Sequence, residues 1–186
     1  MKKLLYLPAI LLTIIATACN MDGDNVWEDY SDWRETNEQW ILDQASRTND
    51  DGTPYYTKLV PTWDKDSYIL IHYFNDRNET KDNLTPLFTS TVDVKYIGRL
   101  YNDEPFDSSY AYTQWGDSIL RTTQANLIEG WAIALSDMHV GDSCEILVPY
   151  QQAYGSSESG IIKPYSALKF NLKLVDIPYY ETKNPE

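Results

Sequence analysis

Histidine and cysteine are scarce in this chain, at two residues each, which removes most of the usual raw material for metal centres and proton-relay pairs. A structural metal needs about four His, Cys or carboxylate ligands at set spacing, and no such constellation is present. His72 lies in an apolar run and reads as a core or interface histidine. Basic residues are also few: 15 Lys and Arg stand against 28 Asp and Glu, a formal charge of -13. That surface repels a phosphate backbone and anionic lipid, so nucleic acid is excluded as a partner, and it favours solubility. Only one long apolar run occurs, Leu4 to Ile15, too short for a membrane span.

That run has the layout of an export signal. Lys2 and Lys3 precede it and the small residues Ala16 and Ala18 follow it. Ala16-Thr17-Ala18-Cys19 resembles a bacterial lipobox, in which Cys19 becomes the lipidated first residue; the competing reading is an ordinary signal with an incidental Cys. With Cys19 acylated, Cys144 has no disulfide partner and reads as a small buried residue on a strand. The expected organisation is a lipoprotein signal peptide at 1–18, an acidic tether and N-terminal helix at 19–54, one domain at 55–180 and a polar tail at 181–186. The expected location is the cell envelope, anchored through lipid to the outer membrane on its periplasmic or surface face.

What the chain has in quantity is amphipathic aromatics, 15 Tyr and 6 Trp. From Val26 to Arg47, Val26, Trp27, Tyr30, Trp33, Trp40, Ile41 and Ala45 recur at helical spacing. This stripe packs either on its own domain, which predicts a monomer, or on a second copy. Tyr55 to Val60, Tyr68 to Phe74, Thr91 to Leu100, Cys144 to Val148 and Ala167 to Val175 carry the apolar or alternating patterns of strands. Leu127, Ile128, Trp131, Ala134 and Leu135 form one face of a short helix that feeds a strand through the turn His139 to Asp142. Trp131 is either ordinary core or the floor of a pocket.

Several short motifs then occur in order: Tyr96-x-Gly98, Phe106-Asp107-Ser108-Ser109, Ile128-x-Gly130-Trp131, Met138-x-x-Gly141, Ala153-Tyr154-Gly155, and Ile161-Ile162-x-Pro164 with Leu168-x-Phe170. Together, from about Pro86 to Ile177, they resemble the FKBP-type peptidyl-prolyl cis/trans isomerases. The resemblance implies an α+β fold, a curved antiparallel sheet of about five strands wrapped around one short helix. It implies no cofactor and no metal. Proline-containing exported polypeptides would be the partners, macrolide inhibitors would be potential ligands, and apolar residues would be preferred before proline. A peptide-binding module or holdase on the same fold is the alternative.

By the same resemblance, Tyr96, Phe106, Trp131 and Phe170 wall a proline pocket, with Trp131 beneath the ring. Leu127, Ile161 and Ile162 add to its rim. The Ile128 N–H and the Tyr154 hydroxyl donate to substrate carbonyls, and Asp107 sits at the polar edge. One departure stands out: Ser118 to Thr123 (SILRTT) replaces a Phe-rich stretch before the helix, which leaves Tyr112 or Trp115 to supply the missing wall.

Overall fold

A computed structural model describes residues 25–179. The signal, the lipobox Cys19 and the polar tail therefore lie outside the described residues.

Seven strands form one antiparallel sheet: β1 (Thr57–Leu59), β2 (Ile69–Tyr73), β3 (Thr91–Leu100), β4 (Pro105–Ser108), β5 (Leu120–Thr123), β6 (Ser143–Val148) and β7 (Leu168–Asp176). Their order is β1-β2-β6-β7-β3, with β4 and β5 both paired to the far side of β3. β4 pairs with Ile97 to Arg99 and β5 with Thr91 to Val94, so the two share one strand position broken by the segment 109–119. The five strands legible from alternation are β1, β2, β3, β6 and β7. β4 and β5 escape that pattern because each is only four residues long and neither is fully buried.

Alternation fixes the register. Val94, Tyr96 and Gly98 of β3 face Leu174, Leu172 and Phe170 of β7. Cross-strand partners share a face, so these residues all point to the same side of the sheet. On that side lies α3 (Glu129–Asp137), in which Gly130 to Leu135 are all buried. Of these, Ile133 and Leu135 each contribute roughly 1.5–3 kcal/mol on leaving water. Helix and sheet touch closely at Gly130, where an added Cβ would stand 2.3 Å from Val148 Cγ1. Only glycine permits that approach, which gives the Gly130-Trp131 pair its first half. Cys144 is fully buried on β6, and burial pushes its thiol up.

The turn after α3 is closed by Asp142, whose side chain is completely buried. It accepts from the His139 N–H at 2.8 Å, the Thr80 hydroxyl at 2.5 Å and the Asn75 amide at 3.0 Å, and faces Arg77 at 3.4 Å. Burial alone would raise the carboxyl; these donors outweigh it and hold it below the usual 3.8.

The N-terminal stripe forms two helices, α1 (Val26–Asp29) and α2 (Ser31–Ala45), rather than one. The break is at Tyr30, with φ -108° and ψ 20°, and Arg34 Nη1 caps the Trp27 carbonyl at 2.7 Å. α2 packs on its own domain. Ile41 is buried with Tyr56, Leu70, Leu147 and Ala167, and Trp33 and Trp40 meet Tyr101 edge to face at 5.3 and 6.4 Å. His72 stacks on Tyr55 at 4.0 Å with its Nδ1 2.7 Å from the Tyr55 carbonyl, a packed strand histidine.

Candidate active site

A cavity of about 320 Å³ opens between α3 and the sheet. It is lined by Tyr96, Phe106, Asp107, Leu120, Asn126, Leu127, Ile128, Trp131, Tyr154 and Phe170. Eight of the residues singled out from the motifs therefore meet around one space.

The rings support one another at near right angles. Trp131 meets Tyr96 at 5.0 Å and 83° and Phe170 at 5.3 Å and 87°, while Phe106 meets Phe170 at 5.6 Å and 89°. Edge-to-face contact of this kind sets positive ring edges on negative faces and fixes ring orientation. Gly98 makes room for it: a Cβ there would stand 2.6 Å from Phe106 Cζ and 2.9 Å from Phe170 Cε1. That is the physical content of Tyr96-x-Gly98. Trp131 is 3% exposed, so it is at once core and cavity floor.

The polar edge is equally ordered. The Tyr96 hydroxyl donates to Asp107 Oδ2 at 2.6 Å, and the Ser108 N–H donates to Asp107 Oδ1 at 2.8 Å. Ser109 completes the motif, accepting from the Tyr96 N–H through Oγ at 2.9 Å and donating its own N–H to the Tyr96 carbonyl at 3.0 Å. Burial first, then the Asp107 carboxylate, raise the Tyr96 phenol well above its ordinary 10.0. Burial and the same carboxylate raise Tyr154. Both hydroxyls are protonated donors at neutral pH. The Ile128 N–H, at the start of α3, has no acceptor among the described residues.

Two expected rim residues lie apart from this space. Ile162 is buried in the main core, and Ile161 is 48% exposed; neither lines the cavity. Tyr112 and Trp115 do not line it either. Trp115 is exposed beneath the Arg121 guanidinium at 4.4 Å. The wall before the helix is built by Leu120 instead, with Asn126 beside it. Leu120 is paired with Val94, two residues before Tyr96 on the same face, so the register turns it inward. The signal was the Leu in SILRTT, visible only once that stretch is placed on β3.

Other clefts occur among the described residues. A groove of about 610 Å³ beside Trp63, Leu87 and Phe88 has no titratable lining, and one of about 560 Å³ between α2 and Tyr101 is acidic. Neither gathers the motif residues, and a cleft of about 550 Å³ beside Ile97, Arg99 and Tyr110 shares Phe106 and Asp107 with the cavity but not Trp131, Tyr154 or Phe170. Among the described residues, no group of three or more His, Cys, Asp or Glu is placed to hold a metal ion.

The geometry defines a class first: an antiparallel sheet curled over one helix, with an aromatic cavity between them that has hydrogen-bond donors at its edge and no histidine in its lining. Residues 85–175 match the family described as FKBP-type peptidyl-prolyl cis-trans isomerase. This region is similar to an FKBP-type domain. It is 39% identical over 94 residues to the peptidyl-prolyl cis-trans isomerase Mip of Coxiella burnetii, covering 50% of this chain and 39% of that protein. It is 36% identical over 93 residues to the FKBP-type 22 kDa peptidyl-prolyl cis-trans isomerase of Escherichia coli, covering 50% of this chain and 45% of that one. The match thus spans less than half the length of these relatives. Among solved structures, the fold is similar to FkpA from Escherichia coli, with a TM-score of 0.64 and 21% identity over 82% of this chain and 62% of that chain. A peptidyl-prolyl cis-trans isomerase from Pseudomonas syringae gives 0.62 and 22%, covering 80% and 95%.

Proposed function

We propose that this chain is a peptidyl-prolyl cis/trans isomerase that acts on exported, folding polypeptides from a lipid anchor in the cell envelope. The carrying observation is the cavity itself, in which four aromatic rings, two high-pKa phenols and an unpaired backbone N–H converge.

The reaction needs no nucleophile. The barrier of about 18–20 kcal/mol to turning an amide is loss of resonance, and the uncatalysed X-Pro bond takes tens to hundreds of seconds to exchange. Acceleration comes from binding the twisted amide better than either planar form. Trp131 supplies the floor for the proline ring, and Tyr96, Phe106, Leu120 and Phe170 supply its walls. The dry interior favours the less polar, twisted amide over the planar one. The Ile128 N–H and the Tyr154 hydroxyl hold the flanking carbonyls. Asp107, fixed by Tyr96 and Ser108, presents its carboxylate at the rotating carbonyl's edge.

A holdase reading would rest on the loss of the Phe-rich stretch before the helix. Leu120 occupies that wall, so the isomerase reading stands first. Lys2, Lys3, the run to Ile15 and the lipobox at Cys19 support export and anchoring, and the intramolecular packing of Trp33 and Trp40 supports a monomer. Macrolides that compete for the same cavity are expected ligands.

The test is cis-to-trans relaxation of a Leu-Pro peptide by the mature chain and by Tyr154→Phe and Asp107→Ala. Acceleration by the unaltered chain, diminished in both variants, is the expected result. No acceleration would remove the reading. Cys19→Ser tests the anchor separately: it should move the protein out of the membrane fraction.

A further inference from the structure

The Tyr154 hydroxyl has no protein partner among the described residues, so nothing at its tip fixes it in the cavity. Its position is set through the backbone of the long connection 149–167 between β6 and β7. The Gly155 N–H donates to the Tyr150 carbonyl at 2.9 Å, and the Gly155 carbonyl accepts from the Tyr165 N–H at 2.8 Å. Tyr165 therefore holds the residue next to Tyr154.

Tyr165 is itself in a conformation that a bulky side chain rarely adopts, with φ at +61°. Such a residue stays there only when its surroundings over-determine it. The surroundings are the N-terminal helices together with Tyr150 of the connection itself. Trp27 and Tyr150 sandwich the Tyr165 ring edge to face at 5.5 and 5.2 Å, and the Arg34 guanidinium lies 3.3 Å over Trp27. The next two residues are tied directly to α2. Trp33 Nε1–H donates to Ser166 Oγ at 3.0 Å, and Ser166 Oγ donates on to the Lys163 carbonyl at 2.8 Å. The Ala167 N–H donates to Asn37 Oδ1 at 2.9 Å, and Asn37 Nδ2 donates to the Trp33 carbonyl at 2.8 Å. Asn37 is fully buried, an uncommon place for an amide on a helix unless it serves a backbone group.

We propose that Trp33 and Asn37 are positioning residues for Tyr154: the helical extension clamps the 163–167 turn and, through Tyr165 and Gly155, sets where the Tyr154 hydroxyl stands. This rests on the isomerase reading of the cavity. The extension is then part of the working site, although no residue of it lines the cavity.

The experiment uses the mature chain and the Leu-Pro peptide, at a temperature where melting curves show every variant folded. Trp33→Phe, Ser166→Ala and Asn37→Ala are each measured alone and combined with Tyr154→Phe. Each single change should lower kcat/KM about fivefold, chiefly by raising KM, since a displaced donor is a lost binding contact. In the Tyr154→Phe background the same changes should do almost nothing, and Trp33→Phe with Ser166→Ala should equal either alone. Undiminished kcat/KM in the folded single variants overturns the proposal, as does a full drop when Tyr154→Phe is already present. An inactive unaltered chain would instead overturn the isomerase reading and this inference with it, a result distinct from an active chain indifferent to Trp33.

Discussion

The Tyr96 hydroxyl and Asp107 Oδ2, 2.6 Å apart, join the central strand β3 to the edge strand β4 at the mouth of the aromatic cavity. A charge-assisted bond of this kind is roughly twice as strong as a neutral one and fixes the carboxylate at the cavity edge. Tyr96→Phe should therefore lower kcat/KM on a Leu-Pro peptide by about tenfold and Asp107→Asn by a similar factor, with the double variant no worse than the poorer single one. Additive losses in the peptide assay would separate the two residues.

Burial, with the same carboxylate second, sets the alkaline limb. Both Tyr96 and Tyr154 hold their protons beyond the ordinary 10.0, through burial first and Asp107 next. An anionic phenol cannot donate, so activity should be lost only where these groups ionise. The pH profile of kcat/KM should be flat from about pH 6 to 10. A decline centred near pH 8 or 9 would point to a different donor.

Leu120 and Trp115 offer a direct contrast, since one lines the cavity and the other is exposed under Arg121. Leu120→Ala should lower kcat/KM about tenfold, the scale of a lost apolar wall. Trp115→Ala should leave it within about twofold.

Gly130→Ala places a methyl against Val148 and should destabilise the domain by about 1–3 kcal/mol in denaturant unfolding. Val148→Ala in the same chain should recover part of that loss, because it removes the atoms the new Cβ meets. An equal loss with and without Val148→Ala would assign the effect to something other than this contact.

Acid stability should depend on Asp142. Its folded carboxyl titrates below the ordinary 3.8, so its contribution is fully present above about pH 4 and is lost as pH falls through the folded value. Asp142→Asn should cost about 3 kcal/mol at pH 7, from the lost charged hydrogen bonds to His139, Thr80 and Asn75, while Arg77 keeps its ion pair to Asp137 at 2.8 Å. It should also flatten the loss of stability between about pH 4 and 2. Chemical denaturation across that range reads both effects.

Alternation and helical spacing made the long elements legible, since β3 and β7 each bury one face and α3 is buried from Gly130 to Leu135. The ordered motifs likewise picked out the residues that line the cavity on β3, β4, α3 and β7. What sequence spacing could not carry was set by tertiary register. Leu120 is inward only because β5 continues the position begun by β4, and Ile162 is in the core rather than at the rim because the connection before β7 turns back at Ser159. The helix break at Tyr30 is paid for locally by Arg34, a contact seven residues back that no period reveals.

The sheet order also has a kinetic side. β7 is the last strand among the described residues, yet it lies between β6 and β3 and supplies both with partners. Until Leu168 to Asp176 has left the ribosome, those two strands keep open edges and α3 has only part of a sheet to rest on. Folding must then wait for non-local pairings, the slow kind that exposes apolar edges to other chains. A chain cut short before Leu168 should therefore aggregate rather than form a smaller domain.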